Sequence, residues 1–259
     1  MLARIPVLLL GIPAAYGLLV AAGDQVRFGF LLLICIMGQY ELCRMLEKQT
    51  PRLPLPEWAG AVLIMTATHF FGERGLLMAG SLSAVLLMAF TVLRGLRGDG
   101  GQRFSHGLFS LFYLPVCLSF FLQVARVHGG LTLFVIIAAI WALDIGAYAF
   151  GMSIRGPKLA PRISPNKTVS GAVGGALSCI AFILLAGHFQ FLTLPMLNLA
   201  VLALAVATLG QLADLFESIL KRESEVKDSG ALLGAHGGVL DRIDSILLLG
   251  PVCYALFIL

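Results

Sequence analysis

The sequence has little charge. Only 12% of its 259 residues are Asp, Glu, Lys or Arg, while 59% are hydrophobic. A soluble domain carries roughly twice that charge, so a water-soluble globular protein is excluded. No polar stretch is long enough to fold into a soluble domain of its own. There is no low-complexity tract and no internal repeat, so the paired halves common among transporters are missing. The five cysteines (Cys35, Cys43, Cys117, Cys179, Cys253) form no CxxC pair and lie in or beside apolar runs. They read as small packing residues rather than disulfides or metal ligands. No His–Cys set has zinc spacing.

Long apolar runs are what the chain has instead. Nine are long enough, or nearly so, to cross a bilayer: about 5–22, 27–43, 58–72, 75–93, 107–125, 131–151, 168–190, 195–217 and 244–259. In hydrocarbon the backbone must satisfy its own hydrogen bonds, so each is expected to be a helix. The fold class is therefore all-α, a polytopic integral membrane protein. Eight runs follow the first, so that first run reads as a retained segment and not a removable leader. With the N-terminus in the cytoplasm, alternation through nine spans puts fifteen of the eighteen Lys and Arg residues on the cytoplasmic side. Only Arg27, Arg74 and Arg126 fall outside. The net charge of +4 is thus spread over loops that face lipid headgroups. It gives no reason to expect nucleic acid.

The chain divides by function. Residues 1–125 read as a transmembrane scaffold, and 126–259 as a transmembrane catalytic region within one membrane unit. In the second part, acids sit within or at the ends of apolar spans, which by default marks a functional site. Asp144 lies inside the sixth span. Asp214, Glu217, Ser218 and Lys221 follow i, i+3, i+4, i+7 spacing and share one helix face. Asp241, Asp244 and Ser245 repeat that spacing at the start of the last span. Two carboxylate-bearing helix ends suit a hard cation such as Mg²⁺, which takes few carboxylates plus water and phosphate oxygens. Between them, Lys227-Asp228-Ser229-Gly230 and His236-Gly237-Gly238 read as loops that let backbone approach a phosphate. Lys221, Arg222, Lys227 and Arg242 supply charge to neutralise a polyphosphate. A second loop, Ser164-Pro165-Asn166-Lys167-Thr168, enters the seventh span. Ser164 or Asn166 is expected to cap that helix, with Lys167 and Thr168 at a ready anion site. Gly171 and Gly175 have GxxxG spacing for close helix contact, within one chain or across a homodimer.

Taken together, these residues resemble the phosphatidate cytidylyltransferase (CDP-diacylglycerol synthase) family. The C-terminal signature of that family is met by Ser218, Lys221-Arg222, Lys227-Asp228, Gly230, His236-Gly237-Gly238, Asp241-Arg242 and Asp244. Asp144 with Ala147-Tyr148 is similar to its D-x-x-A-Y element, and Ser164–Thr168 to its S-P-x-K-T turn. The resemblance implies a bacterial inner-membrane enzyme with its site facing the cytoplasm, joining CTP and phosphatidic acid to give CDP-diacylglycerol and pyrophosphate. It implies Mg²⁺ and a second, monovalent cation such as K⁺. Asp214 and Asp241 would be leading metal ligands, with Asp244 and Asp228 near them. Asp214, Lys221, Arg222, Asp241 and Arg242 would be catalytic. Asp144, Ser164, Lys167, Thr168, Ser218, Lys227, His236, Gly237 and Gly238 would bind substrate. One position departs from the pattern: Ser170 stands where the family often has glutamate. The alternatives are a CTP-dependent lipid-alcohol kinase, or a divergent paralogue serving as a membrane partner.

Overall fold

The structure, a computed structural model, describes residues 13–47, 53–94, 100–232, 234 and 237–259. It is overwhelmingly helical. After a π-helical turn at Gly17–Ala21 come helices α1 (Asp24–Leu46), α2 (Leu55–Leu93) and α3 (Gly100–Leu111). A second π-helical turn, Phe112–Val116, leads into α4 (Cys117–His128), followed by α5 (Gly130–Ile154). Strands β1 (Lys158–Ala160) and β2 (Ser164–Thr168) precede α6 (Val169–His188), α7 (Met196–Glu223), α8 (Leu240–Leu247) and α9 (Gly250–Phe257). Among the described residues, six helical stretches are long and apolar enough to cross a membrane: α1, α2, the continuous run from α3 to α4, α5, α6 and α7.

Three departures from the sequence reading have local causes. First, the expected spans 58–72 and 75–93 form one helical element, α2, broken at Gly72. Gly72 has φ 61° and ψ −135°, a region that glycine enters without steric cost. The chain doubles back there. Gly75 lies against the Ala67 carbonyl, and a Cβ on Gly60 would stand 3.4 Å from that of Ser83. The two arms share a small core of Ile64, Leu76, Ala79 and Leu87, joined by Leu111. Second, the expected last span, 244–259, is two eight-residue helices, α8 and α9. Pro251 in the first turn of α9 has no N–H to give and cannot continue the preceding helix. Third, all-α needs amending by the β1–β2 ribbon, an antiparallel pair with Lys158 opposite Thr168 and Ala160 opposite Ser164. Of the first expected span, 5–22, residues 5–12 lie outside the described residues, and Gly17–Ala21 form the first π-helical turn.

Pro115 explains the π-helical turn between α3 and α4, because proline removes one hydrogen bond of the helical ladder. The main core runs through the middle of the bundle, with Leu42, Leu114, Phe121, Leu143, Val206 and Leu247 all in it. All five cysteines are buried, and none is in a disulfide. Helices α5 and α6 pack most closely. A Cβ on Gly171 or Gly175 would come within 2.7 Å and 2.6 Å of the Ala147 and Leu143 carbonyl oxygens. The GxxxG spacing therefore serves contact within the chain.

Candidate active site

Helix α7 carries the site. Glu217 is fully buried (0% exposed), Ser218 is buried, and Asp214 and Lys221 are half-buried on the same face. Lys221 bridges two acids: its Nζ donates to Glu217 Oε2 one turn back and to Asp241 Oδ1 at 2.8 Å. Asp214 makes its own pair, accepting from Lys167 Nζ at the end of β2. A buried ion pair is costly to desolvate unless its groups have partners or a function.

The remaining acids join this line by electrostatic proximity. Asp144 on α5 is accessible and lies within reach of Asp214, Asp244, Lys167 and Arg242. Asp214 and Asp244 repel one another across the gap between α7 and α8. Asp244 is buried, with Oδ1 accepting from the Ser245 amide at 2.7 Å and the Ser245 hydroxyl at 3.2 Å. Asp144, Asp214, Asp244, Glu217 and Asp241 thus form a continuous acidic run, with Lys167 and Lys221 set into it.

Asp241 has a different setting from Asp214. Its Oδ2 accepts the Ser229 amide at 3.0 Å and the Gly238 amide at 2.8 Å, while Oδ1 takes Lys221. Burial pushes its carboxyl up, but Lys221 and those two amides outweigh this and hold it below the usual carboxylate range. Gly237 has φ 79°, and a Cβ there would come within 2.7 Å of Asp241 Oδ2. The loop can close on this carboxylate only because a glycine is there.

The other expected residues are more peripheral. Arg222 is exposed and donates Nε to the Ile163 carbonyl at 3.3 Å, tying α7 to the β-ribbon. Lys227 and Asp228 are exposed on the loop, with Asp228 beside Gly237. Arg242 is exposed on α8. Ser164 opens β2. His236 lies outside the described residues. The cap of α6 is Thr168, not Ser164 or Asn166: its Oγ1 accepts the Gly171 amide at 3.1 Å. Strand β2 keeps 164–168 extended, so Thr168 is the first residue able to turn its side chain back onto the helix. Ser170, in the first turn, donates to the Arg155 carbonyl.

Two residues that the sequence reading did not single out also face the site. Tyr113, in the second π-helical turn, is within electrostatic reach of Asp244, Glu217 and Asp214. Its hydroxyl is buried and makes no hydrogen bond among the described residues. Glu41 on α1 accepts from the Ser229 hydroxyl and the Leu240 amide. A carboxylate inside the apolar run 27–43 was the available signal for Glu41. Nothing local marks Tyr113.

Among the described residues, no three His, Cys, Asp or Glu side chains converge tightly enough to hold a metal ion by themselves. The available donors are carboxylate oxygens, and Asp214 and Asp244 are within electrostatic reach of one another. That set fits a hard cation such as Mg²⁺, which completes its shell with water and phosphate oxygens.

Comparison with known proteins agrees with the geometry. The chain is 36% identical to the phosphatidate cytidylyltransferase of Bacillus subtilis (strain 168), over 90% of each chain. It is 37% identical to that of Brucella suis biovar 1 (strain 1330), over 80% of this chain and 74% of the other. It is 32% identical to that of Staphylococcus aureus (strain COL), over 91% of each. The family described as the Cytidylyltransferase family matches residues 2–259. With nearly every residue inside that match, and the signature's ion pairs formed, the chain belongs to the Cytidylyltransferase family.

Proposed function

We propose that the chain is a phosphatidate cytidylyltransferase, converting CTP and phosphatidic acid into CDP-diacylglycerol and pyrophosphate. The family match over 2–259 carries this reading. The Lys167–Asp214 and Lys221–Asp241 pairs support it, because each sets a cation where phosphate can replace a carboxylate partner.

In this reaction a phosphate oxygen of phosphatidic acid attacks the α-phosphorus of CTP. The bond from that phosphorus to the oxygen bridging to the β-phosphate breaks, and pyrophosphate leaves with the electron pair. The nucleophile is already an anion, so no strong base is required. The barrier is repulsion between two anions, and the chain's task is to offset it. Lys167 receives the lipid phosphate, leaving Asp214. Lys221, steered by Asp241, faces the nucleotide's leaving phosphates, with Arg222 and Arg242 at the exposed rim. Asp214 and Asp244 would hold Mg²⁺, with Asp241 and Asp228 as further carboxylates of the same site. When bound, Mg²⁺ would neutralise phosphate charge and polarise the phosphoryl oxygens. A monovalent cation such as K⁺ would share this acidic site.

We also place the protein in the bacterial inner membrane with nine spans, its N-terminus and site on the cytoplasmic side. The fold-back at Gly72 supports counting 58–72 and 75–93 separately. Arg27 and Arg126, two of the three cations assigned to the outer face, lie near one another at Ala125. Lys167 and Lys221 sit with the acids of the site.

The test uses purified protein in detergent with phosphatidic acid and CTP labelled at the α-phosphate, with and without Mg²⁺. The expected products are labelled CDP-diacylglycerol and an equal amount of pyrophosphate, with Mg²⁺ required. Release of labelled CDP with no CDP-diacylglycerol would instead identify γ-phosphoryl transfer to a lipid and overturn the proposal.

A further inference from the structure

Helix α1 belongs to the apolar first half of the chain, yet it delivers a carboxylate to the signature loop. Glu41 is 1% exposed. Its Oε2 accepts from Ser229 Oγ at 3.1 Å and from the Leu240 amide at 2.8 Å. Leu240 opens α8, so Glu41 caps that helix from 199 positions away in sequence. The other oxygen, Oε1, is buried and takes no hydrogen bond from the described residues. Gly230 and Gly238 both lie against this carboxylate, and a Cβ on either would collide with it. The loop is moulded around Glu41.

The contacts continue into the site. Ser229, which donates its hydroxyl to Glu41, gives its amide to Asp241 Oδ2 and accepts the Asp241 amide at 3.4 Å. Asp241 in turn holds Lys221. A second tie lies one turn further along α1, where Ser224 Oγ donates to the Met45 carbonyl at 2.8 Å. Helix α1 therefore grips the loop at both ends. A carboxylate buried in an apolar span is expensive. Among the described residues the hydrogen-bond donors to Glu41 are neutral, the Ser229 hydroxyl of the loop and the Leu240 amide of α8.

We infer that Glu41 is a positioning residue for catalysis: through Ser229 it fixes Asp241, and through Asp241 it aims Lys221. The inference rests on the proposed cytidylyltransferase reading for its kinetic consequence, but not for its structural one. What matters is the acceptor oxygen that Ser229 and Leu240 share. Glutamine keeps such an oxygen, and alanine does not.

The experiment compares wild type with Glu41→Ala, Glu41→Gln and Ser229→Ala, all full-length and in detergent. The first readout is tryptic cleavage after Lys227, which is exposed on the loop and needs no catalysis to report. Glu41→Ala and Ser229→Ala are expected to be cut about tenfold faster, and Glu41→Gln at close to the wild-type rate. The second readout is CDP-diacylglycerol formation. Both alanine variants should lose about 10- to 100-fold in kcat, the scale of misplacing a catalytic group by about 1 Å. A Glu41→Ala/Ser229→Ala double variant should fall no further than Glu41→Ala alone, because both act on one chain of contacts. Glutamine should restore most of the rate. Should Glu41→Ala not fold, Ser229→Ala against Glu41→Gln decides. Wild-type cleavage in Ser229→Ala, or a Glu41→Gln loop cut as fast as the alanine variants, overturns the inference. A wild type that is resistant to trypsin but makes no CDP-diacylglycerol would refute the proposed reaction and leave the cleavage result to judge Glu41.

Discussion

Two polar regions lie toward opposite ends of helix α1, and they treat their cations differently. Arg27 near its start and Glu41 near its end are separated by about 20 Å of helical rise. Arg27 is 8% exposed and donates to the carbonyls of Leu19 at 2.8 Å, Ala22 at 3.3 Å and Ala125 at 3.5 Å, with Asp24 as its acid. Arg126 donates to the His69 carbonyl, and the His128 ring meets the Phe257 carbonyl at 2.7 Å. These groups satisfy main-chain carbonyls, largely where helices end, as basic side chains commonly do. At the other end, Lys167 and Lys221 face carboxylates. A cation bonded to a carbonyl holds a helix end in place. A cation bonded to a carboxylate can exchange that partner for phosphate. The first region secures the fold, and under the proposed reaction the second is the one poised for chemistry.

Lys221→Met should break the second region most severely. It strands the buried Glu217 and Asp241 without their shared cation. Removing one member of a buried pair costs about 3–5 kcal/mol, so thermal unfolding in detergent should shift sharply downward while turnover disappears. Adding Glu217→Gln should recover part of the stability and none of the rate. An unshifted unfolding curve in the single variant would mean that Lys221 does not balance these acids.

Asp214→Asn separates the two roles. Its pair with Lys167 is about one-third exposed on each side, and such pairs contribute about 1 kcal/mol or less. Stability should hardly move. Pyrophosphate release should fall by about 10²–10³-fold, the usual loss when a charge-stabilising group is removed. Wild-type turnover would take Asp214 out of the site.

Arg27→Met is the mirror image. It abandons three carbonyls at buried or partly buried positions, at a cost of about 2 kcal/mol. Unfolding should come earlier, while turnover per folded molecule stays at the wild-type value. Lost turnover with unchanged stability would erase the distinction between the two regions.

These contrasts also show what could be read from the chain beforehand. The helix-face spacing of Asp214, Glu217 and Lys221 is a local pattern, and the structure puts the three side chains along one line. The break between 58–72 and 75–93 was legible because Glu73 and Arg74 interrupt an apolar run beside Gly72. The split of the last span was missed because Gly250-Pro251 is itself apolar and left the hydropathy of 244–259 undisturbed. The cap at Thr168 was missed because Ser164 and Asn166 are equally good capping residues until the β-ribbon forms. Glu41 shows the real limit. Its partners are Ser229 and Leu240, and no periodicity within α1 points to residues so distant in sequence.

The smallest effect concerns the one departure from the signature. Ser170→Glu would put a carboxylate in the first turn of α6, two residues after the Thr168 cap. A negative charge at that position gains about 0.3–1 kcal/mol from the helix dipole. The same change removes the hydroxyl that donates to the Arg155 carbonyl, where Arg155 turns the chain at φ 58°. That hydrogen bond is worth about 0.5–1.5 kcal/mol. The two terms nearly cancel, so unfolding should move by about 1 kcal/mol or less in either direction. Turnover should stay within about twofold of wild type, because the hydroxyl serves a turn and not a phosphate. A rate gain of about tenfold or more would show that the missing glutamate acts in the reaction, and that the poised region extends past Lys167 into α6.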